Sequence, residues 1–531
     1  MQLSRKSNSE HLPWVVQKYG GTSVGKFLNE IADTIIPTYL ESNKVVIVCS
    51  ARSGKTKEKG TTNMLLQAAK EALTEGSNRH LEIVEEIAQD HLHAARAAIK
   101  NQEILAHVEC QLKEECLKLR SFLEAAEIID EISSRSKDII VGMGEKLSCI
   151  IATAVLQDRG IDSRLIVLNN LIEREFTVLD QSFYDYIAQR LEEVIQECGQ
   201  RVPVLTGFFG NVPGSLLNTI GRGYTDLCAA LVAVGLKAQE LQIWKEVDGI
   251  FTADPRKVKN ARLIPVITPE EAAELTYYGS EVIHPFTMEQ VIRSGVPIRI
   301  KNVENPGGSG TIIFPDQAHN LLNSSDSVPK DNVEEQEEGK NGNKNDTIPT
   351  HHLPSPTLSV AILAQNGYHK DLSRKHPTAI TVKNNICILN VHSNRKNVSH
   401  GFLAKIFMIL DEHNIVVDLI STSEVHVSMA LSSDALLDAQ LEKAVMALES
   451  LGSVAVHPNM AILSLVGRQM KNLVGMAGKM FMSLAESGVN IEIISQGASE
   501  INISCVVQEK FALHALRAIH EKLLNVDPSV V

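Results

Sequence analysis

Short apolar runs punctuate the first part of the chain, and the polar stretches between them carry helical spacing. Val15 to Lys18 is an apolar stretch that stops at a pair of glycines. Val45 to Cys49 is apolar without interruption, the pattern of a parallel strand buried on both faces. Val202 to Thr206 and Leu241 to Lys245 predict further strands. Helix-compatible sequence starts at Lys26, and long amphipathic stretches run from Thr62 to about Glu75 and from Leu81 to Lys100. The segment TPEEAAEL (Thr268 to Leu275) opens a helix: Thr268 can cap it, Pro269 suits the first turn and Glu271 completes a capping box. This alternation predicts an α/β fold, a mainly parallel sheet with helices on both faces in three αβα layers.

The pattern breaks at Asp316. From there to about His376 the chain turns to Ser, Asn, Pro, Lys and Glu, and DNVEEQEEGKNGNKND (Asp331 to Asp346) has too few apolar side chains to offset the entropy of ordering. Residues 317–376 therefore read as a flexible acidic and polar linker after a first unit at 12–316. Within it, LSVAILAQNG (Leu358 to Gly367) is apolar enough to dock somewhere.

Beyond the linker the sequence repeats. FMILDEHNIVVDLISTSEVHVSM (Phe407 to Met429) parallels FMSLAESGVNIEIISQGASEINISC (Phe481 to Cys505), aligning Phe407 with Phe481, Asp418 with Glu492 and Glu424 with Glu500. Each copy reads as helix end, turn, apolar strand, polar loop and alternating strand. Two units follow, at 377–456 and 457–531, with a last strand near Leu513 to Val526 that can belong to the first.

Charge and cysteine usage narrow the partners. Lys and Arg number 51 against 64 Asp and Glu, and a net charge of -13 repels a phosphate backbone, which argues against nucleic acid while leaving room for a small basic pocket. The eight cysteines are scattered with no CxxC pair, which disfavours a zinc site or a disulfide framework. The opening MQLSRKSNSEHL has no apolar signal core, and no apolar run approaches ~18 residues, so no membrane span is expected and the expected compartment is the cytoplasm.

Candidate chemistry begins at VVQKYGGTSVGK (Val15 to Lys26). Gly20 and Gly21 let backbone amides approach an anion, a following helix start adds its dipole, and Lys18 can reach a β- or γ-phosphate. The spacing is neither GxGxxG nor GxxxxGK[ST]. Taken alone, the turn can equally be a tight connection.

KYGGTSVG after an N-terminal strand resembles the opening of aspartate kinases, members of the amino-acid kinase superfamily. Four further segments resemble the family's motifs in its order: VVIVCSARSG (Val45 to Gly54), MGEKLS (Met143 to Ser148), GRGYTD (Gly221 to Asp226) and KEVDGIFTADPRKV (Lys245 to Val258). TYYGSEVIHPFTMEQVIRSGVPIRIKN (Thr276 to Asn302) is similar to the fungal branch, and the C-terminal repeat resembles paired ACT modules, α+β units of ferredoxin-like form that bind effector amino acids. Apart from a few N-terminal residues and the linker, the resemblance covers the whole chain.

The resemblance implies transfer of the ATP γ-phosphoryl to the β-carboxylate of L-aspartate, the first step toward threonine and methionine. A carboxylate is ionised at neutral pH and needs no general base, so positioning and charge screening carry the reaction. By resemblance Lys18 steadies the moving phosphoryl group and Asp226 holds Lys18. Gly20 and Gly21 cradle the phosphates, with Tyr19, Thr22 and Ser23 in the same nucleotide set. Asp254 and Arg256 resemble ribose- and phosphate-side anchors, Phe251 stands where many members have tyrosine, and Lys245 and Glu246 replace a Thr-Asp pair. Glu145 matches the glutamate that meets the substrate ammonium, and Arg222 suits its α-carboxylate by bidentate pairing. Ser50, Ala51 and Thr225 join the substrate set, with Thr61 and Thr62 as alternatives. Glu281 replaces a lysine of several bacterial members; whether it or His284 touches nucleotide stays open. No protein-held metal is expected, Mg²⁺ being held mainly by the nucleotide phosphates.

For the effector the candidates are Asp418, Ser421, Thr422, Gln496 and Asn502. L-Threonine is the expected inhibitor and lysine the alternative, in a homo-oligomer joined through the ACT modules. Two other readings are a kinase with another acceptor, such as glutamate or acetylglutamate, and a non-catalytic amino-acid sensor.

Overall fold

The computed structural model describes residues 6–54, 59–278, 283–313, 376–393, 401–423, 425–433, 435–468, 470–497 and 501–525. The expected linker up to residue 375, its apolar piece Leu358 to Gly367, Glu281, Glu424 and Glu500 lie outside the described residues.

Eight strands form the first sheet: β1 (Trp14–Tyr19), β2 (Lys44–Cys49), β3 (Ser163–Ile166), β4 (Val202–Thr206), β5 (Glu240–Lys245), β6 (Val266–Ile267), β7 (Ile298–Asn302) and β8 (Thr311–Ile313). Their order is β3-β4-β2-β1-β5-β7-β8-β6, parallel at every pairing except β7 with β8. The unbroken apolar run of β2 has a direct cause. Val46 and Val48 enter a core on one face, while Val45, Ile47 and Cys49 enter a second core on the other. Helices Gln181–Gln196 and Tyr224–Gly235 cover the first face; helices Thr61–Ala72, Arg79–Ala98, Gln102–Ile129 and Ser134–Asp158 cover the second.

The first helix begins at Gly21, five residues before the expected start, because two glycines and two hydroxyl residues hide its turn from a propensity reading. Helix Ser134–Asp158 is the longest apolar helix of the first half, with no uninterrupted apolar run of ~18 residues. By length and composition it can cross a membrane, although Lys137, Asp138, Glu145 and Lys146 interrupt the run; here it is buried in the protein interior. The capping box at Thr268 and Glu271 is present at the head of helix Pro269–Tyr277.

The second sheet is antiparallel throughout: β9 (Ala379–Ser393), β10 (Val417–Thr422), β11 (His426–Ser432), β12 (Gly452–Val466), β13 (Ile493–Ser495) and β14 (Asn502–Gln508), in the order β10-β11-β9-β12-β14-β13. The repeat is visible in the elements. Helices Phe402–Glu412 and Met476–Glu486 occupy equivalent places, as do β11 and β14. Strands β9 and β12 serve both copies. Ile386 to His392 of β9 pairs with β11, while Ala379 to Lys383 pairs with the part of β12 that also carries β14. The expected boundary between residues 456 and 457 therefore falls inside β12. The expected last strand near Leu513 to Val526 is instead helix Glu509–Leu523; Ala512, Ala515, Leu516 and Ile519 recur at helical spacing and pack on β12 and β14.

This second half is fastened to the first by a buried polar seam. Glu271 Oε1 accepts from Thr378 Oγ1 at 2.5 Å and from the Arg468 amide at 2.9 Å. Thr252 Oγ1 meets His520 Nε2 at 2.9 Å, and the Arg262 guanidinium donates to the Leu524 carbonyl at 2.7 Å. Ala253 and Val258 complete the second half's apolar core.

Candidate active site

In an open parallel sheet a crevice forms beyond the carboxyl ends of the strands, where neighbouring connections diverge. Here β1 leads to β2 on one side and lies against β5 on the other. The segments leaving β1, β2, β4 and β5 are Gly20–Ser23, Ser50–Ser53, Gly207–Phe208 and Glu246–Phe251. All five sequence motifs contribute to these ends or the helices behind them: three at the ends of β1, β2 and β5, and MGEKLS and GRGYTD on helices Ser134–Asp158 and Tyr224–Gly235.

Lys18 projects from β1 on the face opposite Tyr19. Its Nζ lies 2.6 Å from Asp226 Oδ1, with both side chains largely but not wholly buried. Asp226 stands in the first turn of helix Tyr224–Gly235, where the helix dipole favours a carboxylate. Beside Lys18, the amides of Gly21, Thr22 and Ser23 precede the first helical hydrogen bond, from the Val24 amide to the Gly20 carbonyl at 3.0 Å. Ser23 Oγ donates to Glu246 Oε1 at 2.8 Å, joining the turn after β1 to the segment after β5.

Tyr19 does not stand with the nucleotide set. Its ring is fully buried, stacked on Trp244 with centroids 6.0 Å apart, and its hydroxyl donates to Gln17 Oε1 at 3.0 Å. Strand alternation sends Lys18 to the site and Tyr19 to the opposite core. Gly21 has a packing reason of its own: a Cβ there would come 2.3 Å from the Ala51 carbonyl oxygen, and one at Gly25 2.0 Å from that of Ser53. These glycines seat the helix against the loop after β2.

Glu145 is buried behind Lys18. Thr225 Oγ1 donates to its Oε1 at 2.7 Å and the Phe208 amide to its Oε2 at 2.5 Å. Burial pushes its pKa up to about 7, against the opposing pull of Thr225, the Phe208 amide, Tyr224 and the charge of Lys18. The glycines around it make this approach possible. A Cβ at Gly207 would lie 2.5 Å from the Thr225 methyl, one at Gly142 2.7 Å from the Phe208 ring, and one at Gly144 within 3.2 Å of Ala51, Thr61 and Leu65. Ala51 and Thr61 thus gather at the Glu145 turn. Thr61 is buried, whereas Thr62 is half-exposed, and Ser50 is half-buried with its amide bonded to the Tyr19 carbonyl at 3.1 Å. The backbone of Arg222 lies in a 3₁₀ turn, Gly221–Gly223, that leads into Tyr224. His284 is exposed and caps helix Pro285–Arg293, with its Cβ 3.5 Å from where a Cβ of Gly223 would stand.

Lys245, Glu246, Phe251, Asp254 and Arg256 all line one cavity of about 610 Å³. Asp254 and Arg256 pair with each other at 3.0 Å on its rim. Ile380, Thr381, Val382 and Leu516 of the second half line the same cavity. No local sequence signal announces that juxtaposition, which crosses more than a hundred residues. Arg52 was also missed: its guanidinium pairs with Asp90 and donates to the Gly25 carbonyl at 3.3 Å, anchoring the loop after β2. Its place in ARSGK, next to Ala51, was the available hint.

The effector candidates separate. Ser421 and Thr422 are exposed on edge strand β10, with Asp418 half-buried on the same strand, and Gln496 is exposed just past β13. Asn502 lies elsewhere: it is buried, and its side-chain amide donates to Glu274 of helix Pro269–Tyr277. The start of β14 packs on the first half, so Asn502 belongs to the seam.

Comparison with known proteins agrees with this architecture. Residues 13–302 match the amino acid kinase family and residues 463–523 the ACT domain. The chain is 50% identical over 528 residues to the aspartokinase of Schizosaccharomyces pombe, covering 98% of this chain and 96% of that one. It is 48% identical over 536 residues to the aspartokinase of Saccharomyces cerevisiae, covering 99% and 95%. The structure of E. coli aspartokinase III in complex with aspartate and ADP (R-state) superimposes with a TM-score of 0.70 at 25% identity, covering 96% of this chain and 100% of that one. The same enzyme in complex with lysine and aspartate (T-state) also gives a TM-score of 0.70, covering 96% and 99%. With identity sustained over nearly the full length and the kinase-family match spanning the first sheet's site, this chain belongs to the aspartokinase family.

Proposed function

We propose that the protein phosphorylates L-aspartate on its β-carboxylate with ATP and that L-threonine inhibits it. The observation that carries the kinase reading is the Lys18–Asp226 ion pair at the carboxyl end of the central strand, with Glu145 buried directly behind it. Asp226 fixes the Lys18 ammonium where a transferring phosphoryl group gathers charge. The Gly21–Ser23 amides add donors without charge. Glu145 supplies the anion for the substrate ammonium and Arg222 the cation for its α-carboxylate, which leaves the β-carboxylate as the attacking group. The nucleotide base and ribose fall to the cavity bounded by Phe251, Asp254 and Arg256. Mg²⁺ enters with the nucleotide as part of the substrate.

The threonine reading is supported by the hydroxyl-bearing edge strand β10, and lysine is the alternative. Pairing of copies through the second half is supported by Leu403 and Phe407, exposed on one face of helix Phe402–Glu412, and by exposed Ile420 on β10. The test is ATP- and Mg²⁺-dependent formation of aspartyl hydroxamate by the full chain, with and without threonine or lysine, beside Lys18→Ala. Turnover with glutamate and none with aspartate would overturn the acceptor assignment. Activity unmoved by saturating threonine would overturn the effector.

A further inference from the structure

Helix Ser134–Asp158 carries a second buried carboxylate besides Glu145. Asp138 is 2% exposed and lies about two turns before Glu145 on the same face. Three donors of one segment converge on it: Ser215 Oγ on Oδ1 at 2.8 Å, the Leu216 amide on Oδ2 at 2.7 Å and the Leu217 amide on Oδ1 at 3.2 Å. The segment they hold is strained. Ser215 has φ 80° and ψ 136°, a conformation that glycine reaches freely and a residue with a Cβ rarely adopts. Neighbouring positions of the helix add to the grip. Ser134 Oγ accepts from Asn218 Nδ2 at 3.3 Å. The Asn211 side-chain oxygen, in the orientation that satisfies both groups, accepts from Arg135 Nε at 3.1 Å and from its Nη2 at 3.2 Å. Gly142 leaves room for the Phe208 ring, and Glu145 takes the Phe208 amide and, from the far end of the loop, the Thr225 hydroxyl. Arg135, Asp138, Gly142 and Glu145 recur at helical spacing. Together they grip the chain from Phe208 to Thr225, which carries the Gly221–Gly223 turn and with it Arg222.

We propose that Asp138 is a positioning residue for substrate recognition: by holding Ser215 to Leu217 it fixes where the Gly221–Gly223 turn presents Arg222. This rests on the reading that Glu145 meets the substrate ammonium and Arg222 its α-carboxylate. The loop is tied to Glu145 at both ends, through the Phe208 amide and the Thr225 hydroxyl, and to Asp138 in between. Both groups that recognise the amino-acid head are therefore referenced to one rigid helix, and the distance between them is set by its turns. The bonds to Asp138 are charge-assisted, which suits them to hold a backbone conformation that would otherwise relax. Asp138 touches no substrate in this scheme. Its effect reaches the substrate through the short helix Leu216–Thr219 and the turn that follows it.

The test measures kcat/KM on the full chain, by ADP formation at a fixed pH, for three acceptors. These are L-aspartate, its α-amide, which is neutral where Arg222 pairs, and succinate, which lacks the ammonium. The wild type should prefer aspartate to the α-amide by about 10²-fold. Asp138→Asn keeps the side chain's size and removes its charge. It should shrink that preference by about tenfold while leaving the preference over succinate, set by Glu145, and KM for ATP unchanged. Arg222→Gln should shrink the α-amide preference too, and adding Asp138→Asn to it should shrink it no further, because the two act through one contact. An intact α-amide preference in Asp138→Asn overturns the positioning role, and so does an equal loss of both preferences, the mark of a site merely loosened. If Asp138→Asn does not fold, Ser215→Gly decides. Glycine suits a φ of 80°, so only the hydroxyl's bond to Asp138 is lost, and the α-amide preference should shrink by a smaller factor. An unchanged preference there overturns the role equally. An undiminished α-amide preference in Arg222→Gln overturns instead the substrate reading underneath.

Discussion

Lys18 and Asp226 meet at 2.6 Å across the central crevice, one from the end of β1 and the other from the first turn of helix Tyr224–Gly235. A lysine held this way keeps its ammonium aimed without a ligand to organise it. Asp226→Asn preserves the shape and removes the charge that aims Lys18. It should lower kcat by about 10²-fold while leaving KM for aspartate near its original value, and Lys18→Met should lower kcat by about 10³-fold or more. Initial rates of hydroxamate formation over a matrix of ATP and aspartate concentrations separate the two constants. Unchanged kcat in Asp226→Asn would reduce the pair to a structural contact.

Glu145, with its pKa raised to about 7 by burial, makes two pH predictions of opposite use. Substrate capture needs the carboxylate, so kcat/KM for aspartate should fall about tenfold per pH unit below 7, and this limb should vanish in Glu145→Gln along with most of the activity. Stability runs the other way. Between the ordinary glutamate value of about 4.3 and the folded value, the folded chain holds a proton that the unfolded chain has released. Stability from this group is therefore full at low pH and is lost as pH rises toward 7. Glu145→Gln should raise Tm relative to wild type at pH 8 more than at pH 5. An equal shift at both would refute the buried-carboxyl account.

Two glycine substitutions should move stability in opposite directions. At Gly25 a Cβ would stand 2.0 Å from the Ser53 carbonyl oxygen, a backbone atom that yields only if the loop shifts. Gly25→Ala should cost about 1–3 kcal/mol and raise KM for aspartate, because the shifted loop carries Ser50 and Ala51. Gly478 lies inside helix Met476–Glu486 with nothing within 4 Å of its added Cβ. Gly478→Ala should stabilise by about 0.5–1 kcal/mol. Thermal and urea unfolding measure both.

Glu271 concentrates the seam between the halves on one buried carboxylate. Replacing it with alanine leaves the donors of Thr378, Arg468 and Thr268 without their acceptor. At about 1–3 kcal/mol per buried orphan, Glu271→Ala should lower Tm by several degrees. It should also weaken inhibition by the effector, since helix Pro269–Tyr277 packs on β9 and β12 of the regulatory half and on helix Pro285–Arg293, whose cap His284 lies beside Gly223. Full inhibition in a destabilised Glu271→Ala variant would show that the seam holds the halves together without carrying the signal.

The sequence made strands legible where both faces of a strand are buried, because β2 and β4 then read as nearly unbroken apolar runs. It made the Thr268–Glu271 cap legible because that bond is local. The second use of Glu271, by Thr378 and Arg468, was invisible since it depends on tertiary contact. Tyr19 was misplaced for a related reason: a motif names neighbours along the chain, and in a strand adjacent side chains face opposite layers. Asn502 was misplaced because its repeat position matched a loop, while the fold presses that strand end against another domain. The helix start at Gly21 was hidden by residues chosen for close packing rather than for helix propensity.

The exchange of strands through β9 and β12 bears on how this regulatory half can be inherited and dissected. Two repeats in tandem suggest two parts that evolution, or an experimenter, can separate. Yet a cut between them through β12 leaves Gly452 to Val456 with the first repeat but parts Ala379 to Lys383 of β9 from Ile462 to Val466 of β12, which they pair with in the second. The second repeat freed of the first would then lack one strand of its sheet. That half can therefore be transplanted whole, or the first repeat alone, but the second repeat moves only together with the opening segment of β9.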